Sequence, residues 1–196
     1  MHILYIHQYF ATPSIPGGGR SYEFAQRWVE RGHKVTMLTT TCKLAECDMA
    51  SARGRFIKRF NMKGIEVIAA GITYKQDMGI FRRLLAFLCF VVVSSLLMLS
   101  VKKVDVVYAT STPLTVGLPA LVAKWVCKTP FVFEVRDRWP QVPIEMGIIK
   151  NRALIGILLL FEKTIYKYSS AIVVLSPGQA ESVGEVLTED KRVMVI

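Results

Sequence analysis

The chain has 196 residues, 52% of them hydrophobic, and a formal net charge of +10 at pH 7. This length and apolar content predict one sizeable domain with its own core. The excess of Lys and Arg indicates acidic partners such as anionic lipid headgroups or phosphorylated substrates. The basic residues are not interleaved with aromatic residues as they are in nucleic-acid-binding modules, so no nucleic-acid partner is expected.

The four cysteines form no C-x-x-C motif and no cluster with histidine. We expect them to be reduced, mostly buried and without a metal site. Met1 is followed at once by an apolar strand, so we expect no signal peptide and a cytoplasmic location.

A βαβ unit opens the chain. A strand over Ile3–Ile6 leads through a glycine-rich loop, Gly17–Gly19, into a helix from Arg20 and a second strand over Lys34–Thr39. This order is typical of a Rossmann-like sheet. Glycines let a ligand approach the backbone, and a helix start favours phosphate, although neither a dinucleotide fingerprint nor a P-loop motif is present. The alternative is that the loop only packs the helix on the strand.

The segment Leu84–Val101 carries no charge and is flanked by Arg82, Arg83, Lys102 and Lys103. A bilayer-spanning helix would separate the strands before it from those after it, which could then not share one sheet. We therefore predict an interfacial helix on the inner face of the plasma membrane. The residues expected to face the lipid are Leu84, Leu88, Val92 and Leu96. The alternative is burial against a partner domain or a second subunit.

The remaining strands are predicted over Arg55–Asn61, Ile65–Ala70, Val104–Ala109, Phe131–Val135, Ala171–Leu175 and Val193–Ile196, the first two as a hairpin. Helices are predicted to end near Cys127, to run from a cap at Asn151 to Tyr168, and to end near Leu187. The pattern indicates an α/β fold, a Rossmann-like parallel sheet with helices on both faces.

Ligands of such sheets bind beyond the carboxyl ends of the strands. Four loops are expected there, and they make Arg20, Arg136, Asp137 and Arg138 candidates to face one cleft. These side chains would form a phosphate-binding set that contains a single acid.

Several segments together resemble the N-terminal domain of bacterial family 4 glycosyltransferases of the GT-B fold. They are HQYFATPSIPGGGRSYEFAQRWVERGHKVTMLT, TPLTVGLPALVAKW, PFVFEVRDRWPQVPIEMGII and AIVVLSPG. The resemblance covers the whole chain, residues 1–196. It is strongest to the subgroup that moves N-acetylated amino sugars in O-antigen, lipopolysaccharide and capsule synthesis.

The resemblance implies retaining transfer from a nucleotide-diphosphate sugar to a lipid-linked or other glycan acceptor, with no metal or other cofactor. The N-terminal domain would hold the acceptor. A second domain, which binds the nucleotide, is expected outside this chain, so the chain alone would be inactive and would need a C-terminal domain or a separate subunit. The alternatives are a non-catalytic membrane- or partner-binding module and a Rossmann-type nucleotide binder; the latter is disfavoured because no acid ends the second strand.

The resemblance also assigns roles to residues. Gly17, Gly18 and Gly19 would line the phosphate and sugar side of the cleft. Arg136 stands where many members have histidine, and it would stabilise charge on the leaving phosphate. Asp137 would orient the acceptor hydroxyl, or else pair with a neighbouring arginine. His7 would touch the acceptor, or else be structural, and Trp139 is expected to fill the core rather than to stack on a sugar ring.

Overall fold

The computed structural model describes residues 1–15, 19–74, 78–187 and 191–196. The strands are β1 (His2–Ile6), β2 (Lys34–Thr40), β3 (Ile57–Met62), β4 (Ile65–Ala70), β5 (Val106–Thr110), β6 (Phe131–Val135), β7 (Ala171–Val174) and β8 (Val193–Val195). The helices are α1 (Arg20–Glu30), α2 (Ile80–Ser100), α3 (Gly117–Val126), α4 (Gln141–Glu145), α5 (Arg152–Tyr168) and α6 (Pro177–Val186).

The eight strands form one sheet in the order β3-β4-β2-β1-β5-β6-β7-β8. Every neighbouring pair is parallel except β3 and β4, which form the predicted hairpin. Its turn contains Lys63 and Gly64, both at positive φ (46° and 90°), a conformation that glycine adopts without steric penalty. The α/β fold class is thereby confirmed, with one antiparallel edge strand in a sheet that is otherwise parallel.

Side chains on the central strands alternate between two apolar layers. Tyr5, Val35 and Tyr108 pack with α1 on one face of the sheet. Leu4 and Phe133 pack on the other face with residues of α2, α3, α5 and α6. Both faces of the sheet are covered, as the continuous apolar runs of the strands predict.

Helix α2 begins four residues earlier than predicted and has two different sides. Ala86, Phe90, Ser94 and Met98 are buried. The hydroxyl of Ser94 is satisfied within the helix because its Oγ donates to the Phe90 carbonyl at 2.6 Å. The opposite side carries an exposed apolar row, which we call the α2 stripe and which consists of Phe81, Leu84, Leu88, Val92, Leu96 and Leu99.

Among the described helices, α2 alone is long and apolar enough to cross a membrane, over Phe81–Ser100. The strands before and after it nevertheless lie in one sheet. A spanning α2 would place strands of the same sheet on both sides of the bilayer, so this fold is incompatible with a transmembrane position for α2.

The Asn151 cap is confirmed, since its side-chain oxygen accepts from the Leu154 N–H at 3.1 Å. The expectation that the cysteines are mostly buried is wrong: Cys47, Cys89 and Cys127 are exposed, and Cys42 is half-buried. Each lies near an element end or on the outer side of a helix, where a small side chain is tolerated without burial.

Candidate functional site

The strand order reverses between β1 and β5, because the chain turns from β1 towards β2 on one side and later returns to β5 on the other. In open parallel sheets, the crevice at the carboxyl end of such a reversal is the usual ligand site. The loops that follow β1, β5 and β6 meet at this edge, and the start of α6 is tied to them.

An ion pair with one fully buried partner lies directly beneath this edge. Glu134 on β6 is fully buried, and its Oε1 accepts from the Arg20 Nε at 2.9 Å. Its Oε2 accepts from the Thr110 Oγ1 at 2.7 Å. The Arg20 guanidinium lies 4.6 Å from the centre of the Phe24 ring and donates to the Ile196 carbonyl at 3.3 Å. These contacts fix the Arg20 side chain at the start of α1.

His7 lies below the surface of the edge. It is buried, and its Nδ1 is 2.9 Å from the Ser21 Oγ. Burial, together with the smaller effect of the nearby Arg136 charge, lowers the pKa of His7 to about 3. His7 is therefore neutral at physiological pH, and its packing fits the structural alternative.

Tyr5 completes this buried layer, with its hydroxyl 3.2 Å from the Thr110 Oγ1. Burial raises the pKa of Tyr5 far above its usual value, and the Glu134 charge raises it further. Tyr5 consequently stays protonated, and the Arg20–Glu134 pair carries the charge within this group.

The loop after β6 is tied to its neighbours by hydrogen bonds. The Arg136 N–H donates to the Ser111 Oγ at 2.9 Å, and the Arg136 carbonyl accepts from the Gln179 Nε2 at 3.0 Å. The Thr112 hydroxyl donates to the Asp137 Oδ2 at 2.5 Å. The carboxyl edge therefore presents a carboxylate that is fixed by the neighbouring loop.

Asp137 is exposed and forms no ion pair with Arg20, Arg136 or Arg138, although all four residues are described. The structure therefore does not contain the predicted alternative, in which Asp137 pairs with a neighbouring arginine. Thr112, which holds Asp137, has a φ of 92°, uncommon for a β-branched residue and found more often at functional sites.

Arg138 stays a predicted member of the four-residue set. It lines a small cavity with Gln141, Glu162 and Gln179, on the face of the sheet opposite to α1. Burial raises the pKa of Glu162, while hydrogen bonds and the Arg138 charge oppose that rise. Trp139 packs against the core, as predicted.

Gly17 and Gly18 lie outside the described residues. Gly19 precedes the first residue of α1 and is exposed, and a Cβ added to it would meet no described atom within 4 Å. As a glycine, it has no side chain to cap the start of α1, where N–H groups favour an anion.

Glu134 is the site residue that the sequence prediction missed. It stands in the strand FVFEV, which was predicted as a strand without any role for its acid. A single acid among buried apolar residues is a usable signal, because a buried carboxylate needs a cation or hydrogen-bond donors. The described residues contain no group of three or more His, Cys, Asp or Glu side chains placed to hold a metal ion.

Two solved structures show the same fold. Sucrose-phosphate synthase from Thermosynechococcus elongatus has 12% sequence identity and a TM-score of 0.64, and the match covers 100% of this chain and 47% of that chain. The calicheamicin glycosyltransferase CalG4 has 15% identity and a TM-score of 0.52, with 100% and 52% covered. The chain thus spans about half the length of these GT-B glycosyltransferases and has the fold of one half of them.

A search of curated proteins gives no match. The family model described as a glycosyl transferase 4-like domain, in contrast, matches residues 17–196. Since this match covers nearly the whole chain, including the glycine loop and the Arg136–Asp137 loop, the protein belongs to the glycosyl transferase 4-like family.

Proposed function

We propose that this chain is the N-terminal, acceptor-binding half of a retaining glycosyltransferase. The enzyme moves an N-acetylated amino sugar or another hexose from a nucleotide-diphosphate sugar to a lipid-linked glycan in bacterial cell-surface polysaccharide synthesis. The observation that carries the proposal is Asp137, an exposed carboxylate held by Thr112 at the carboxyl edge of a glycosyl transferase 4-like domain.

Asp137 is proposed to accept a hydrogen bond from the acceptor hydroxyl. Thr112 binds the Oδ2 of this carboxylate, which leaves the Oδ1 for the acceptor. A carboxylate fixed before substrate arrives loses little freedom when the substrate binds, and this favours correct orientation of the attacking hydroxyl.

The donor diphosphate is proposed to lie against the glycine loop and the start of α1. The open space at Gly19 supports a close approach to the backbone. Arg136 would supply positive charge to the leaving diphosphate as its bond to the sugar breaks. The Arg20–Glu134 pair would keep the start of α1 in place, and a second domain, on the same chain or on another, would bind the nucleotide.

The proposed location is the cytoplasmic surface of the membrane, reached through the α2 stripe. Arg82 stands at the start of this helix, Lys102 and Lys103 follow its end, and all three are exposed. An apolar row flanked by cations matches an anionic lipid surface, where each Lys or Arg near the surface contributes about 1 kcal/mol.

The test of transfer is release of nucleoside diphosphate from a panel of nucleotide sugars by the full-length protein with lipid-linked acceptors. Asp137→Asn should abolish release without changing the unfolding midpoint. Asp105→Asn is the matched control, because Asp105 is also exposed and also accepts one hydrogen bond, from the His2 N–H at 2.6 Å, but at the amino edge of the sheet. Equal turnover of the Asp137 variant and wild type would remove Asp137 from the proposal.

The test of location is flotation with lipid vesicles. Leu88→Glu with Val92→Glu places two charges on the α2 stripe at positions that are already exposed, so the fold should persist. We expect this variant to stay in the soluble fraction, whereas wild type floats. Flotation of both would show that the α2 stripe does not hold the protein on membranes.

A further inference from the structure

A second exposed apolar surface lies in the same helical layer as the α2 stripe, on the other side of α3, and was not predicted from the sequence. It is formed by the loop after α4 and the first turns of α5 and consists of Met146, Ile148, Leu154, Ile157 and Leu160. We call it the α5 surface. In a monomeric soluble protein, such clustered large side chains mark an interaction site.

The α5 surface and the α2 stripe belong to the same helical layer. Helices α2 and α5 both pack against α3 on one face of the sheet. Helix α2 follows β4 and α5 follows β6, so each begins at the carboxyl edge that contains Asp137. The two apolar surfaces therefore flank α3 and reach the same end of the molecule as the candidate site.

The charges around the α5 surface identify its partner. From Met146 to Phe161 the sequence contains the exposed cations Lys150 and Arg152 and no acidic residue; of the two acids that adjoin this stretch, Glu145 is exposed and Glu162 is buried. The stretch from Met78 to Val104, which includes the α2 stripe, likewise has basic residues and no acid. A second copy of this chain would bring another net charge of +10 to the contact, whereas an anionic lipid surface complements it.

We propose that the α5 surface is a second lipid-docking surface and that it acts with the α2 stripe to hold the carboxyl edge of the sheet at the headgroups of an anionic membrane. This inference rests on the proposed function, since it concerns how the site reaches a lipid-linked acceptor. Two separated contacts fix the orientation of the cleft relative to the membrane, which a single helix would leave free to rotate about its axis.

The test measures partition of the full-length protein onto vesicles of equal parts phosphatidylcholine and phosphatidylglycerol. Ile157→Glu should lower the partition coefficient at least tenfold. Val126→Glu is the matched control, because both side chains are β-branched, helical and 64% exposed, but Val126 lies at the far end of α3. The control should stay within twofold of wild type.

Two further variants keep the result interpretable. Met146→Glu, at a position that is 69% exposed, should reproduce the loss even if Ile157→Glu disturbs folding. Lys150→Gln with Arg152→Gln should lower binding to these anionic vesicles about 30-fold, from about 1 kcal/mol per cation, and should change binding to pure phosphatidylcholine little.

Unchanged partition of both Ile157→Glu and Met146→Glu overturns the inference. It would be overturned also if sedimentation equilibrium without lipid showed a dimer that Ile157→Glu dissociates, because the α5 surface would then bind a second copy. Transfer measured with Asp137→Asn, which should float like wild type, reports on the proposed function separately.

Discussion

The Arg20–Glu134 ion pair gives the sharpest prediction about what holds the candidate site together. Arg20→Met removes the cation but keeps an unbranched side chain beside Phe24, so Glu134 remains buried with only Thr110 as a hydrogen-bond partner. Removing one partner of a buried pair destabilises proteins by about 3–5 kcal/mol. Because the Arg20 side chain is 31% exposed, we expect a loss near the lower end, about 3 kcal/mol.

The reverse change should be milder. In Glu134→Gln, the Arg20 guanidinium can turn towards water, and the loss should be that of one charged hydrogen bond, about 1.5–3 kcal/mol. The double variant leaves no unpaired charge, so its loss should be smaller than the sum of the single losses by about 2 kcal/mol, within the range measured for contacting residues. The cycle therefore reports the coupling between the two side chains.

The assay is urea unfolding followed by circular dichroism, with thermal unfolding as a second measurement. A loss of about 3 kcal/mol corresponds to a fall in Tm of about 6–12 °C for a chain of this size. Arg55→Met, at an exposed arginine, is the control and should change the unfolding free energy by less than about 0.5 kcal/mol. A loss below about 0.5 kcal/mol for Arg20→Met, or additive effects in the cycle, would refute the assigned role of this pair.

Three further predictions concern other parts of the fold. The pKa of His7 is lowered in the folded state, so its contribution to stability is present above about pH 6.5 and is lost as the pH falls towards 3. Between pH 7 and 5 wild type should therefore lose about 2 kcal/mol more unfolding free energy than His7→Gln in urea unfolding. Gly19→Ala should leave the free energy of unfolding unchanged and should weaken donor binding in titration calorimetry. Gly117→Ala should destabilise the protein by about 1–3 kcal/mol, because the added Cβ would lie 2.3 Å from the Ile165 Cδ1. Transfer should persist in excess EDTA, and a loss that added Mg²⁺ or Mn²⁺ restores would contradict the proposed metal-independent reaction.

Most of the fold could be predicted from the sequence because the βα repetition is strong. The strand over Phe131–Val135 and the helix ending at Tyr168 have the predicted bounds. Apolar strands bounded by turn residues, and a helix with an Asn cap, carry their own signals. The wrongly predicted bounds lie at the ends of elements. Helix α2, for example, begins at Ile80 and not at Leu84, because Arg82 and Arg83 extend the helix before its uncharged segment.

The candidate site could be predicted only in part. The sequence places Asp137 after a strand, but the hydroxyl that holds it comes from Thr112, 25 residues away, and only the sheet brings them together. The same holds for Glu134, whose partner Arg20 is 114 residues away. Arg138 was expected at the same edge because its loop follows a parallel strand, and the cavity that it lines with Gln141, Glu162 and Gln179 could not be predicted from the sequence.

The exposure of the α5 surface is another feature that could not be predicted from the sequence. Its segment reads as an ordinary apolar helix, and the sequence cannot show which side the neighbouring helix leaves uncovered. Only the packing of α3 against α2 and α5 separates the buried residues of these helices from the exposed ones.

The most direct test of the central claim is mass spectrometry of lipid-linked glycans after vesicle-bound, full-length protein is incubated with a nucleotide-diphosphate sugar. The account predicts a product heavier by one sugar residue, formed with wild type and Asp105→Asn and not with Asp137→Asn. A product that forms equally with Asp137→Asn, or no product from any donor and acceptor while the protein is folded and bound to lipid, would contradict the claim that this carboxyl edge is the acceptor site of a glycosyltransferase.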